Sequence, residues 1–323
     1  MHEKIKIVHE DSQPLVPGET VRVPVEVQFD SRTKVRGIRA EFRAAEKTRA
    51  SYTTTTTDHK GRAKTVTKTA TEYVDFVREE HLLFGNAKQG FFSNFGDAVA
   101  TLVGGGKHEL IEPGTHEFEI ELTIPPNAPM PFKGKKCEVF YQLSVGVDLP
   151  LRIDWRSTHK FNVDGIAEVR HEPKPAHVKF PDGEKGPSFW DKTFGKEVTL
   201  NLAIDRDALS PGEAADGMLT IESADTFEVT ETKLTLACQE KVVARGHSNT
   251  YTHRIPLRNI DASQTVTGQS IHRFEVTVPE EVQAPFSGSG TNYSVQWFVE
   301  VTLKIPWAKD SVIRLPIMVQ PTA

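Results

Sequence analysis

A chain of 323 residues with 37% hydrophobic residues, 26% charged residues and a formal net charge of -5 has a globular composition and length enough for two domains. It carries no long basic tract of the kind that gathers nucleic acid, no apolar run near the roughly 20 residues a membrane helix needs, and no apolar h-region in its opening MHEKIKIVHEDS. Its two cysteines, Cys137 and Cys238, stand in different halves near alternating strands, where small buried side chains are expected rather than a disulfide or a metal site, which points to a reducing, cytoplasmic setting.

Taken in order, Ile5–Val8 reads as a first short strand, and Leu15-Val16-Pro17-Gly18-Glu19 as a turn in which Pro fixes φ and Gly is free to take positive φ. Val21, Val23, Val25, Val27 and Phe29 then alternate with Arg22, Pro24, Glu26 and Gln28, which predicts a half-buried strand. Pro24 has no N–H to give, so that strand is expected at an edge or with a bulge. Asp30–Val35 is a short loop bearing Arg32, Lys34 and, just beyond, Arg36. Ile38, Ala40 and Phe42 begin the next strand. Thr48–Thr71, rich in Thr and Lys around Asp58-His59-Lys60-Gly61, predicts a long polar hairpin exposed to solvent, and Tyr73–Gly85 a returning strand. Phe95, Val99, Leu102 and Val103 have helical spacing, with Asn94 to cap the start and Gly104 to end it. So short a helix needs a docking surface, its own sheet or a partner or lipid, with Phe91 and Phe92 adding apolar area.

The stretch from Glu112 to Pro150 reads as strand, proline-rich turn and strand. Phe118, Ile120, Leu122 and Ile124 alternate with polar residues, and so do Val139, Tyr141, Leu143, Val145 and Val147. Phe161 and Val163 are expected to close the first domain. Asp164–Gly195, with Pro173, Pro175, Pro181 and Pro187, has a linker's composition. Beyond it Val198, Leu200, Leu202 and Ile204 alternate. The phrase L-x-P-G-E returns at Leu209–Glu213, and H-x-F-E returns at His272–Glu275, followed by a proline and then Pro-Phe. Met218–Ile221, Phe227–Val229, Leu234–Cys238, a Val242–Ile255 hairpin, Trp297–Pro306 and Ile313–Val319 complete the second half. The same signals in the same order predict a duplicated module. Expected are tandem immunoglobulin-like antiparallel β-sandwiches over 1–165 and 196–323, a linker over 166–195, and one short helix in the first.

No phosphate loop, nucleophile elbow, metalloprotease helix or dinucleotide fingerprint stands in a suitable context, so no catalytic residue, cofactor or metal is expected. His247 and His253 share strand parity, but two histidines alone do not make a metal site.

Gly114-Thr115-His116-Glu117-Phe118-Glu119-Ile120 with Ile124-Pro125-Pro126-Asn127-Ala128-Pro129 resembles a phrase of the arrestin superfamily, G-x-H-x-F-x-F followed by I-P-x-N-x-P. Asp205-Arg206 through Pro211-Gly212-Glu213 resembles the opening of that superfamily's C-terminal domain. The resemblance covers nearly the whole chain. It implies two sandwiches with shallow cupped faces that serve as adaptors, scaffolds or regulators of other proteins, often at membranes, in signalling, protein transport or sporulation control. It also places a short helix where Asn94–Val103 falls. The chain has no P-P-x-Y, and it stands closer to α-arrestins and bacterial sporulation-control proteins than to visual arrestin. The expected role is a cytoplasmic, non-enzymatic adaptor that binds protein partners, with possible peripheral membrane association and no nucleic acid. Arg32, Lys34 and Arg36 are candidate protein contacts, and Phe91, Phe92, Phe95, Val99 and Leu102 candidate helix-docking, lipid or partner contacts. The alternative is a structural or ligand-binding β-sandwich, such as a cell-surface or carbohydrate-binding module.

Overall fold

The computed structural model describes residues 4–10, 13–57, 59–85, 109–150, 153–164, 171–180, 198–261, 264–280, 286–304, 306 and 310–321. Among them the chain is all β, with twenty strands and no helix. The helix expected around Phe91, Phe92, Phe95, Val99 and Leu102 lies outside the described residues. Two compact units divide the chain. The first takes in Met1–Lys47, Tyr73–Phe132 and Glu138–Ile166; the second takes in Thr48–Glu72, Lys133–Cys137 and Ala167–Ala323.

In the first unit β1 (Ile5–Ile7), β2 (Thr20–Phe29) and β7 (Gly114–Thr123) make an antiparallel sheet in the order β1-β2-β7. A small ribbon joins β3 (Thr33–Val35) to β6 (Glu109–Ile111). The facing sheet contains β4 (Gly37–Thr57) and β5 (Ala63–Gly85), of which the parts up to Lys47 and from Tyr73 belong to this unit, with β8 (Phe132–Lys133), β9 (Cys137–Asp148) and β10 (Trp155–Phe161). Its order is β10-β9-β4-β5, with β8 on β9. The period-two sets meet inside: Val23, Val25, Val27 and Phe29 of β2, Ile38, Ala40 and Phe42 of β4, and Val139, Tyr141, Leu143 and Val145 of β9 are all buried. Each large side chain so covered stabilises the unit by about 1.5–3 kcal/mol.

Pro24 sits in the middle strand, not at an edge, and without a bulge. Its carbonyl accepts a hydrogen bond from the N–H of Val8, on the β1 side. A residue's N and O point to the same side of an antiparallel strand, so the missing N–H faces β1, where the paired strand has already ended at Ile7↔Val25. On the other side Pro24 only sits across from Glu119. The ring therefore fits a central strand because its neighbour is short.

β4 and β5 are single strands of 21 and 23 residues. The alternation of Ile38–Phe42 passes without a break into the Thr-rich ribbon. Thr48, Ala50 and Ala70 are buried at its base, whereas Thr55–Thr57 and His59–Thr65 are exposed.

In the second unit β11 (Ala176–Phe180), β12 (Val198–Ile204), β14 (Ala214–Val229) and β17 (Gln264–Thr277) form one sheet in that order. β11 comes from the stretch read as linker and pairs antiparallel with β12. The second sheet has the order β13-β20-β19-β15-β16. Its members are β13 (Ala208–Leu209), β15 (Glu231–Ala244), β16 (His247–Asp261), β19 (Tyr293–Lys304) and β20 (Ser311–Val319), with β18 (Gly288–Ser289) on β19. The two short strands expected at Met218–Ile221 and Phe227–Val229 are one strand, β14, whose register shifts between Ser223 and Phe227. Across the β14–β17 pair Gly217 faces Phe274, whose buried ring lies where a side chain at 217 would stand.

The doubling read from the sequence is visible strand by strand. The order β1-β2-β7 recurs as β12-β14-β17, and β10-β9-β4-β5 recurs as β20-β19-β15-β16. The two L-x-P-G-E turns close alike. The N–H of Gly18 donates to Ile124 O and that of Gly212 to Val278 O, while Ile124 and Val278 donate back to Glu19 and Glu213. Gly18 has φ 85° and Gly212 φ 83°. A Cβ at either would meet nothing closer than 3.4 Å, so only the left-handed backbone opposes a side chain there. Gly18→Ala and Gly212→Ala are each expected to cost about 1 kcal/mol, measured by urea unfolding; a neutral result at both would remove the conformational argument.

Candidate functional site

The three basic residues singled out in the sequence fall at the β3–β6 ribbon. Arg32 precedes β3, and its Nε lies 2.9 Å from Glu112 Oε1, both side chains being exposed. Lys34, on β3 opposite Leu110, is exposed and has no ion pair among the described residues. Arg36 follows β3; its N–H donates to Asp148 O at 2.9 Å, and its guanidinium Nε, on a largely covered side chain, stands 3.3 Å from Asp148 Oδ1. The ribbon thus gathers the three cations, two of them beside acids.

The second unit holds a polar arrangement the sequence reading missed. Glu240 lies on β15 with the same parity as Leu236, Cys238 and Val242, and is 2% exposed. Its carboxylate accepts the N–H of Lys135 at 2.9 Å, of Lys136 at 2.7 Å and of Cys137 at 3.2 Å, and the Cys137 thiol lies 3.4 Å away. The turn Lys133-Gly134-Lys135-Lys136-Cys137 can wrap the carboxylate because Gly134 lacks a side chain. A Cβ there would lie 2.7 Å from Glu240 Oε2 and 3.0 Å from Cys137 O. The ribbon base adds contacts in the same unit. Thr48 Oγ1 donates to Val243 O at 2.8 Å, the N–H of Arg245 donates to Glu72 Oε2, and the Tyr52 and His247 rings stack at 3.9 Å with 2° between planes.

Burial, then the nearby Glu240 charge, pushes the Cys238 thiol up to about 12. Since the thiolate is the reactive form, neither buried cysteine is expected to react with a disulfide reagent at pH 8 until urea unfolds the unit. Rapid labelling of the native chain would contradict this.

On the opposite parity of the same sheet, Glu300 of β19 is covered by two arginines. Arg254 of β16 donates Nε to Oε1 at 2.7 Å, and Arg314 of β20 donates Nε to Oε2 at 2.7 Å. Burial pushes the Glu300 carboxyl up, but the two guanidinium hydrogen bonds outweigh it and hold the pKa below its ordinary value. Arg254 is raised by its hydrogen bond to Glu300.

Among the described residues no group of three or more His, Cys, Asp or Glu could hold a metal ion, and no helix is long and apolar enough to cross a membrane. His247 is stacked on Tyr52 and His253 is exposed.

A family model described as "Arrestin (or S-antigen), N-terminal domain" matches residues 6–170, just over half the chain. The chain belongs to the arrestin family. The phrases at Gly114–Ile120 and Ile124–Pro129 both fall within the matched residues. A curated relative, "Arrestin domain-containing protein 17" of Caenorhabditis elegans, is 24% identical over 210 residues, 62% of this chain and 48% of that protein. This arrestin-family chain thus spans about half the length of the curated relative it matches.

Proposed function

We propose that this arrestin-family chain is a cytoplasmic adaptor that holds partner proteins on preformed β surfaces, with two arrestin-like modules over 1–165 and 196–323 joined through 166–195. The observation that carries this reading is the outer half of the β4–β5 ribbon. Residues 55–57 and 59–65 are exposed and bury no apolar face, so this half adds no hydrophobic stabilisation to a core. Among the described residues β5 pairs with β4 alone. A partner segment can therefore add as a strand, with main-chain hydrogen bonds for affinity and alternate side chains for specificity. Lys34, with Arg32 and Arg36, is a second proposed contact, where acidic partner groups would compete with Glu112 and Asp148. Peripheral membrane association through Phe91, Phe92, Phe95, Val99 and Leu102 belongs to the same proposal.

The test is quantitative affinity purification from the source organism, comparing the wild-type chain with one in which Thr55–Thr65 is replaced by Asn-Gly. Specific proteins retained by the first and lost by the second, at equal thermal stability, support the reading. Recovery of background alone by the wild-type chain overturns it, and unchanged recovery by the shortened chain overturns the ribbon's part.

A further inference from the structure

The solvent-facing side of the β20-β19-β15-β16 sheet gathers basic side chains. Strand register and parity put Lys233 and Lys241 of β15, Arg254 of β16, Lys304 of β19 and Arg314 of β20 on one face. Against these five cations stand three acids among the described residues, Glu231, Glu300 and Asp310, the last close enough to Lys304 to help raise its pKa. Glu231 is already engaged: Lys304 Nζ lies 2.8 Å from Oε2 and Lys233 Nζ 3.2 Å from Oε1, and these contacts, led by the Lys304 hydrogen bond, lower its pKa. Glu300 is shared by two guanidiniums. In a chain whose net charge is -5, the excess positive charge on this one face is local and runs against the whole.

The cations are accessible. The side chains of Lys233, Arg254, Lys304 and Arg314 are between 40% and 47% exposed. They surround a floor of short or flat side chains, Thr235 and Ala237 of β15 with Phe298 of β19, the last lying 5.9 Å beneath the Arg314 guanidinium. Glu300 holds both guanidiniums through Nε, which fixes the direction of their planar forks at little further cost in side-chain freedom.

We propose that this face is a docking surface for an acidic segment of a partner protein, laid across β20, β19, β15 and β16 with its carboxylates on Arg254, Arg314, Lys233 and Lys304. Charge complementarity selects the occupant. The half-covered cations lie within the side-chain layer of the sheet, where a narrow peptide reaches them and the plane of a bilayer meets only their tips. The surface is distinct from the ribbon, so its test is independent of the adaptor experiment.

The probe is fluorescein-labelled octaglutamate, followed by anisotropy at low salt. The wild-type chain is expected to bind it, with affinity falling steeply as salt is added. Lys233→Glu with Lys304→Glu is expected to weaken binding by about tenfold or more. Lys64→Glu with Lys68→Glu on the ribbon should leave it unchanged. Lys233→Gln with Lys304→Gln, expected to weaken binding about threefold, serves if the reversed chain fails to fold. Glu300→Gln, which removes the competing charge and leaves one carbonyl acceptor so that one guanidinium is released from its pair, is expected to tighten binding. No binding by the wild-type chain, indifference to the sheet substitutions, or equal loss from the ribbon substitutions overturns the proposal. So does capture by vesicles of three parts phosphatidylcholine to one part phosphatidylserine that the sheet reversals abolish while octaglutamate fails to bind.

Discussion

Replacing Glu240 by Ala is expected to free the amides of Lys135, Lys136 and Cys137 to exchange with solvent and to cost about 3 kcal/mol. The carboxylate is their acceptor in the native state. Without it three N–H groups at a largely covered position lose their partner, and each unmet buried donor costs about 1–3 kcal/mol, less where water can enter. Glu240→Gln keeps one carbonyl oxygen but gives up the charge and turns an amide donor toward other donors, so a smaller loss of about 1–2 kcal/mol is expected. Gly134→Ala attacks the same arrangement from the turn, since the added carbon would press on both the carboxylate and the Cys137 carbonyl. Hydrogen exchange read residue by residue, together with urea unfolding, checks all three. Unchanged protection at 135–137 in Glu240→Ala would mean that these amides depend on something else.

The second large effect is expected at Trp297. Among the described residues it is the largest fully buried side chain, 0% exposed, and stands in β19 between Cys238 of β15 and Ile317 of β20. Trp297→Ala removes an aromatic body from an interior packed at crystal density and leaves a cavity that the surrounding strands can fill only in part. The expected cost is about 3–5 kcal/mol. Trp297→Phe, which leaves a smaller void, is expected to cost about half that. Because the chain has two units, unfolding should be followed by more than one probe. The transition of the second unit is expected to fall by on the order of 10 °C in Trp297→Ala, with the transition of the first unit unmoved. A fall in both together would show that the units unfold as one.

Much of this architecture could be read directly from residue order. Val23, Val25 and Val27 of β2, like Trp297, Val299 and Val301 of β19, declare a buried face by alternation alone, and the repeated turn and strand phrases declare the doubling. What could not be read was register. Glu240 does break a run of inward-facing apolar positions, so its parity was a signal. Its donors, though, lie more than a hundred residues earlier, in a turn that by itself looks like a solvated basic loop. Glu300 gives no signal at all: its parity matches that of Gln296 and Thr302, and only the pairing of four strands brings Arg254 and Arg314 over it. Pro24 misled for a related reason. The rule that keeps proline out of central strands concerns a missing donor, and whether that donor is needed depends on how far the neighbouring strand runs. The expected contacts at Arg32 and Arg36 also rested on charge alone, without the acids beside them, Glu112 between β6 and β7 and Asp148 at the end of β9.

The Phe274 ring laid over Gly217 has a consequence for how this sheet can change over time. The two positions form one steric unit: a larger residue at 217 has no room until the aromatic at 274 has shrunk, and the aromatic lost first would uncover backbone. Substitution must therefore pass through a poorer intermediate or occur at both sites together. Among descendants of a common ancestor the pair should vary jointly, and in the laboratory Gly217→Ala should be tolerated better with Phe274→Leu than alone.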